Sequence, residues 1–208
     1  MKHEWKKKEK LVYMPKNTPE FIEVPEFSFF TVSGRGNPNE DFFGEYIGIL
    51  YSLSYAVRMS HKQGLAPSDY YEYTVYPLEG VWDLTEEGRL KSGGGIDKNE
   101  LIFTLMIRQP DFVTADYALD VIARTKKKKP HKLLDEVQFK TECEGKCVQM
   151  MHIGPYDDEP ASFLRMEDFC VESGLRRLSK THREIYISDF RKTAPERLKT
   201  VLRFRVDL

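Results

Sequence analysis

One arrangement of motifs occurs twice in this chain, and it constrains the fold more than any other feature. In the second half, Gln149-Met-Met-His-Ile-Gly-Pro-Tyr-Asp-Asp-Glu-Pro160 is followed by His182-Arg-Glu-Ile-Tyr-Ile-Ser-Asp189. In the first half, Phe29-Phe-Thr-Val-Ser-Gly-Arg-Gly36 precedes an apolar periodic run, and Tyr71-Glu-Tyr-Thr-Val-Tyr-Pro77 follows it. Each copy reads as strand, glycine turn, helix, then a strand opening on a glutamate, Glu72 in one and Glu184 in the other. A repeat of that kind implies an α+β architecture of two tandem modules related by a pseudo-two-fold. Most connections are too short for parallel crossovers, so the strands are expected to be mainly antiparallel, with helices on one side. A ligand cavity is expected between the halves.

The remaining punctuation fits that plan. Residues 1 to about 20 are polar and broken by Pro15 and Pro19, which reads as a lead-in segment. Phe21 to Val24 and Phe27 to Ser33 read as strand, and Gly34-Arg-Gly36 as a turn. Asn39 or Asp41 is the expected cap of a helix whose apolar positions Phe42, Phe43, Tyr46, Ile47, Leu50, Leu53 and Val57 share one face. Tyr70 to Leu78 and Glu100 to Arg108 read as strands, and Gly80 to Leu84 as an extension of the sheet. Lys91 to Gly95 reads as a flexible hairpin connection. Thr114 or Asp116 starts a second helix that runs into Lys126 to Lys129 and stops before Pro130. Val137 to Glu142 and Cys147 to Ile153 read as two strands turning at Glu144-Gly145. The domain expected is single, residues 1–208, with repeats at about 20–112 and 136–208 joined by a helix and Lys-rich linker at 113–135.

Composition excludes several classes. A formal net charge of −1 over 208 residues argues against a nucleic-acid binder, whose domain would be basic. No apolar stretch approaches the ~20 residues that span a bilayer. The basic start, Met1-Lys-His-Glu-Trp-Lys-Lys-Lys8, has no apolar run behind it, so a secretory signal is not expected. Cys143, Cys147 and Cys170 are odd in number and suit reduced thiols rather than a disulfide framework or a zinc site. The cytoplasm is therefore the expected location, with no metal and no cofactor fingerprint; the sequence leaves the oligomeric state open.

Glu184 is the residue with the most chemical promise. It opens an alternating strand with Tyr186 and Ser188 on its own face, and burial among aromatic walls would raise its pKa and make it a proton acceptor. The alternative is a surface glutamate paired with Arg183 or Arg191. Tyr51, Tyr55, Tyr73, Tyr76, Trp82, Tyr117, Tyr156 and Tyr186 form an aromatic excess that suits stacking of planar ligands, or plain core filling. Met106, on the strand over Glu100 to Arg108, is a further candidate ligand contact. His152 has no partner histidine at ligand spacing and reads as a hydrogen-bonded residue beside the same site.

These motifs, with Thr193-Ala-Pro-Glu-Arg-Leu-Lys-Thr200, resemble the GyrI-like small-molecule-binding family. The first-half strings Gly34-Arg-Gly-Asn-Pro-Asn39, Leu50-Tyr-Ser-Leu-Ser-Tyr55 and Pro77-Leu-Glu-Gly-Val-Trp82 resemble a stand-alone bacterial branch of it. The resemblance implies a cavity between the modules in which an acidic residue, here at Glu184, attracts cationic aromatic compounds. It also implies, for that branch, hydrolysis of the cyclopropane ring of DNA-alkylating cyclopropanoid compounds. Glu184 would then be the base, and Tyr55 or Tyr117 would give electrophilic help to the developing phenolate. Arg183 and Phe190 stand where the family pattern usually has histidine and proline. Non-catalytic sequestering of multiple drugs is the alternative. No helix-turn-helix precedes the module, so a transcription regulator is not expected.

Overall fold

The computed structural model describes residues 2–91 and 96–207, and the runs rich in β-branched and aromatic residues form its strands. In chain order the elements are α1 (Trp5–Lys8), α2 (Lys10–Tyr13), β1 (Glu20–Arg35), α3 (Asp41–Met59), β2 (Leu78–Leu84), α4 (Glu86–Leu90) and β3 (Leu101–Arg108). They continue with α5 (Ala115–Lys128), β4 (Gln138–Ile153), α6 (Glu159–Glu172), β5 (Arg176–Arg177), β6 (His182–Tyr186) and β7 (Lys199–Asp207). The pairings with assigned registers are antiparallel, as expected for an α+β fold. No helix among the described residues is long and apolar enough to cross a membrane. The chain forms two units: Met1–His3, Phe27–Leu78 and Trp82–Glu142 make one, and Glu4–Glu26, Glu79–Val81 and Cys143–Leu208 the other. In chain order the two halves run β1-α3-β2-α4-β3 and β4-α6-β5-β6-β7.

In the first unit, β1 pairs with β3 from Phe29↔Arg108 to Arg35↔Ile102. Helix α3 buries Ile49, Leu50, Leu53 and Val57, and α5 buries Ala118, Val121 and Ile122. Thr114 caps α5 by accepting the Tyr117 amide, as its sequence suggests. No side chain caps α3, whose N-cap is Glu40 rather than Asn39 or Asp41. Gly34 is not a turn residue. It lies inside β1, where a Cβ would meet the Phe103 ring at 2.5 Å, so glycine is required by close approach. The bend comes at Gly36, whose φ of 119° suits glycine.

Four other expectations are corrected. Tyr70 to Leu78 is not a strand: β2 begins at Leu78, and Tyr73 makes a single bridge to His3. The tyrosines cluster instead of pairing in a sheet: Tyr73 is buried and Tyr71 stays exposed, both edge-on to Phe112 at 6.0 and 5.2 Å. Glu72 is therefore exposed and opens no strand. The lead-in contains two one-turn helices that bury Trp5 and Tyr13 against each other, ring centroids 5.2 Å apart. Likewise β4 is one strand, because Gly145 absorbs a positive φ of 68° within it rather than reversing the chain. The segments around Phe21 and Phe27 merge into the single strand β1. The expected hairpin at Lys91 to Gly95 falls mostly outside the described residues.

In the second unit, β7 pairs with β4, β6 and β5. Helix α6 lays Met166 and Cys170 on Val148, Met150, Leu202, Phe204 and Val206. Gly174, at φ 67°, ends it: the Leu175 amide donates to the Cys170 carbonyl at 2.8 Å and the Gly174 amide to Val171, a Schellman closure.

A buried ion network runs through this unit. Arg183 Nη1 donates to Glu79 Oε2 at 2.7 Å, and its Nε lies 3.1 Å from Glu144 Oε1. Arg203 donates to Glu144 Oε2 at 2.8 Å, to Gln149 Oε1 at 2.8 and 3.1 Å, and to the Val12 carbonyl at 2.7 Å. Gln149 then donates to the Leu11 carbonyl and to Glu20. Two guanidinium groups thus face two buried carboxyls. Burial pushes Glu79 up while Arg183 pulls against it. Burial also pushes Glu144 up, but Arg183 and Arg203 outweigh it and hold that carboxyl below its usual range.

Removing one partner leaves a buried charge uncompensated, so Arg203→Met should lower unfolding stability by about 3–5 kcal/mol. The denaturant midpoint measures it. A depressed folded-state pKa stabilises above the unfolded value, about 4.3, and that contribution fades as pH falls through the folded value. Glu144→Gln should therefore destabilise at neutral pH, and its deficit against wild type should shrink below about pH 4. Unfolding curves at a series of pH values check this.

Candidate functional site

Strand β6 alternates cleanly, with Arg183 and Ile185 buried on one side and His182, Glu184 and Tyr186 on the other. Because Arg183 is drawn inward by Glu79 and Glu144, Glu184 must face the opposite way. The surface-pair alternative for Glu184 fails on this geometry. Arg183 points to the other face, and Arg191 forks onto Asp189 with two contacts of 2.9 Å. The Glu184 side chain is 12% exposed and held at both oxygens. Tyr186 Oη donates to Oε2 at 2.8 Å, and His182 Nε2 lies 3.1 Å from Oε1, a hydrogen bond when that nitrogen carries the proton. The Phe163 ring stands edge-on to His182 with centroids 4.7 Å apart. Tyr156 meets Tyr186 in a perpendicular contact at 5.9 Å.

The start of α6 adds a second acid. Glu159 is 6% exposed, and its Oε1 is buried with no hydrogen-bond partner. Its carboxyl lies against Glu184, and burial, the Glu184 charge and the hydrogen bond to Glu184 together raise its pKa well above the ordinary glutamate value. The helix N-terminus opposes this by about 0.3–1 kcal/mol, at most ~2. Burial beside a second carboxyl outweighs it, so the net shift is upward. Burial and the nearby Glu184, Glu159 and Asp189 also push the Tyr156 hydroxyl up to about 12. That phenol keeps its proton at neutral pH and remains a hydrogen-bond donor.

His152, the other candidate in this unit, is buried and doubly tied. Nδ1 lies 2.9 Å from Ser162 Oγ and Nε2 3.0 Å from the Pro155 carbonyl. It borders a recess of about 270 Å³ with Asn17, Asp158 and Arg165. The other six candidates belong to the first unit. Tyr51 and Tyr55 neighbour each other on α3 at 6.3 Å, and Tyr55 is 47% exposed with Arg58 over its ring. Tyr117 is half-buried on α5 with its hydroxyl buried and without a hydrogen-bond partner. Tyr76 is buried with the Arg108 guanidinium 4.5 Å from its ring. Trp82 packs on Phe43 and Phe103, and Met106 is buried in β3. Glu184, Tyr186 and His152 are thus placed in one unit, with Glu184 and Tyr186 in direct contact.

Glu159 carries no role in the sequence-based expectations although it stands in the opening motif, and Tyr156 enters them only as one of the excess aromatics. The signal was Pro160: a proline in the first helical turn places the preceding glutamate at the helix start, facing whatever the glycine turn packs against. Among the described residues no group of His, Cys, Asp and Glu could hold a metal ion.

Residues 17–207 match the model of the GyrI-like small molecule binding domain. A protein described as a hydrolase from Listeria innocua is similar at 36% identity and TM-score 0.87, covering 99% of this chain and 100% of its own. A second hydrolase from Listeria innocua is 37% identical at TM-score 0.88, with both chains covered fully. The C-terminal domain of EcmrR shares the fold at TM-score 0.54 and 14% identity, covering 91% of this chain and 97% of its own. Comparison with curated proteins returns no match. With 191 of 208 residues inside the family model, this chain belongs to the GyrI-like small-molecule-binding family.

Proposed function

We propose that this protein binds planar aromatic compounds, cationic ones among them, and hydrolyses the strained cyclopropane ring of DNA-alkylating cyclopropanoid compounds. The observation that carries the proposal is the Glu184 carboxylate, fixed by Tyr186 and His182 and flanked by the rings of Phe163 and Tyr156. Full-length similarity to Listeria innocua structures described as hydrolases supports hydrolysis over binding alone.

The step balances with water as the sole co-reactant. Its oxygen bonds to the exposed ring carbon and the strained C–C bond breaks. That electron pair moves into the conjugated carbonyl, which becomes a phenolate, while the water proton passes to Glu184. A carboxylate held at both oxygens cannot swing, which keeps it in reach of the attacking water. The developing phenolate needs a hydrogen-bond donor. The sequence suggested Tyr55 or Tyr117 for this part; the proposal gives it to Tyr156, whose hydroxyl stays protonated beside Glu184. Three free cysteines support a reducing, cytoplasmic setting, and the near-neutral charge supports a free small molecule as partner rather than nucleic acid.

A second reading is favoured by the same carboxylate among aromatic rings, which suits capture of a cationic aromatic compound without chemistry. Incubation with a cyclopropanoid alkylator, with ring opening followed by mass and absorbance, separates the two. Wild type should form the ring-opened, hydrated product, and Glu184→Gln should turn over about 10²–10⁴-fold more slowly while still binding. Saturable binding with no product would establish capture instead, and undiminished turnover by Glu184→Gln would remove Glu184 as base.

A further inference from the structure

We propose that Glu159 is the proton-holding partner of Glu184, so that the two form a carboxylic acid–carboxylate pair carrying one proton and one negative charge. This rests on the reading of Glu184 as the base, and it assigns Glu159 a positioning part in the same site.

Hydrogen bonding decides which member is ionised. An ionised carboxylate is acceptor-only and is stable under burial when donors reach its oxygens. Glu184 has Tyr186 on one oxygen and His182 on the other. Glu159 has an oxygen sealed from solvent and touched by no donor. The negative charge therefore resides on Glu184, and the proton on Glu159, whose O–H donates to its neighbour. Two ionised carboxyls in this contact would repel at short range with little water between them.

The surroundings do not reverse that assignment. Asp157, on the turn before α6, adds negative charge beside Glu159. Asp189, following β6, adds more beside Tyr156. The hydroxyls of Tyr156 and Tyr186 are neutral donors, and of these groups His182 alone can become positive. It contacts Glu184 rather than the sealed oxygen of Glu159.

Glu159 then does not take the proton from water. It fixes which carboxyl is the acceptor and keeps the charge of the pair at one. As pH rises and Glu159 ionises, a second charge enters the site and Glu184 loses the Glu159 O–H while keeping Tyr186 and His182. Ring opening should therefore decline on the alkaline side through Glu159 and not through Glu184.

The test combines infrared difference spectroscopy with pH–rate profiles on wild type, Glu159→Gln and Glu184→Gln. Wild type should show the carbonyl band of a protonated carboxylic acid at neutral pH, absent from Glu159→Gln. In Glu184→Gln the band should persist but titrate away at lower pH, since the neighbouring charge is gone; this arm stands even if Glu159→Gln fails to fold. Because glutamine keeps a neutral donor, Glu159→Gln should turn over faster than Glu184→Gln and lose the alkaline decline. A wild-type spectrum without that band at neutral pH overturns the proposal, as does an unaltered alkaline limb in Glu159→Gln. Failure of Glu184 as base would appear separately, as undiminished turnover in Glu184→Gln, while the infrared band would still decide the protonation of Glu159.

Discussion

The inward turn of Arg183 is the constraint on which the Glu184 face of β6 depends. A five-residue strand such as β6 has little hydrophobic pattern to fix its register, and a slip of one position exchanges its two faces. Ile185 alone is a weak anchor against such a slip. An arginine that finds Glu79 and Glu144 on one side, and would leave both of them unpaired by it in any other register, is a strong one. Buried ion pairs give little net stability, because desolvation offsets their attraction; their attested use is to select one arrangement over its competitors. Here the arrangement selected is the one that presents Glu184 with His182 and Tyr186 beside it.

The two faces of β6 treat charge in opposite ways. On the inner face, two guanidinium groups meet two carboxyls and the charges cancel. On the outer face, two carboxyls meet each other with hydroxyls and an imidazole as their neighbours. Cancelled charge makes a structural element that is indifferent to a ligand. Like charge pressed together makes an element whose energy changes when a proton or a cation arrives. A single short strand separates the two, which is economical in a chain of this size.

Much of this was legible in the amino-acid order, and the parts that were not share a cause. The antiparallel α+β plan, the Thr114 cap and the two faces of β6 all follow from local pattern, and local pattern is what a sequence displays directly. Arg183 reads as a surface charge because nothing near it in sequence is its partner; Glu79 and Glu144 are far along the chain. Glu159 reads as part of a polar turn for the same reason, since its burial depends on Glu184. The tyrosines from Tyr70 to Tyr76 mimic a strand by alternating, yet Phe112 offers them an aromatic cluster that no alternation rule anticipates. Gly34 and Gly145 show the converse error. Glycine suggests a turn, but in β1 it makes room for the Phe103 ring and in β4 it lets the strand continue.

The carbonyls of Leu11 and Val12 receive Gln149 and Arg203 from the interior, although the family pattern begins only at residue 17. The boundary drawn by sequence similarity and the boundary drawn by hydrogen bonding therefore do not coincide. A minimal fragment cut where the pattern begins would keep Glu184, Glu159, His182 and Tyr186 and lose two acceptors of the interior network. For this chain, the smallest piece that looks complete and the smallest piece that can hold its own interior together are different objects.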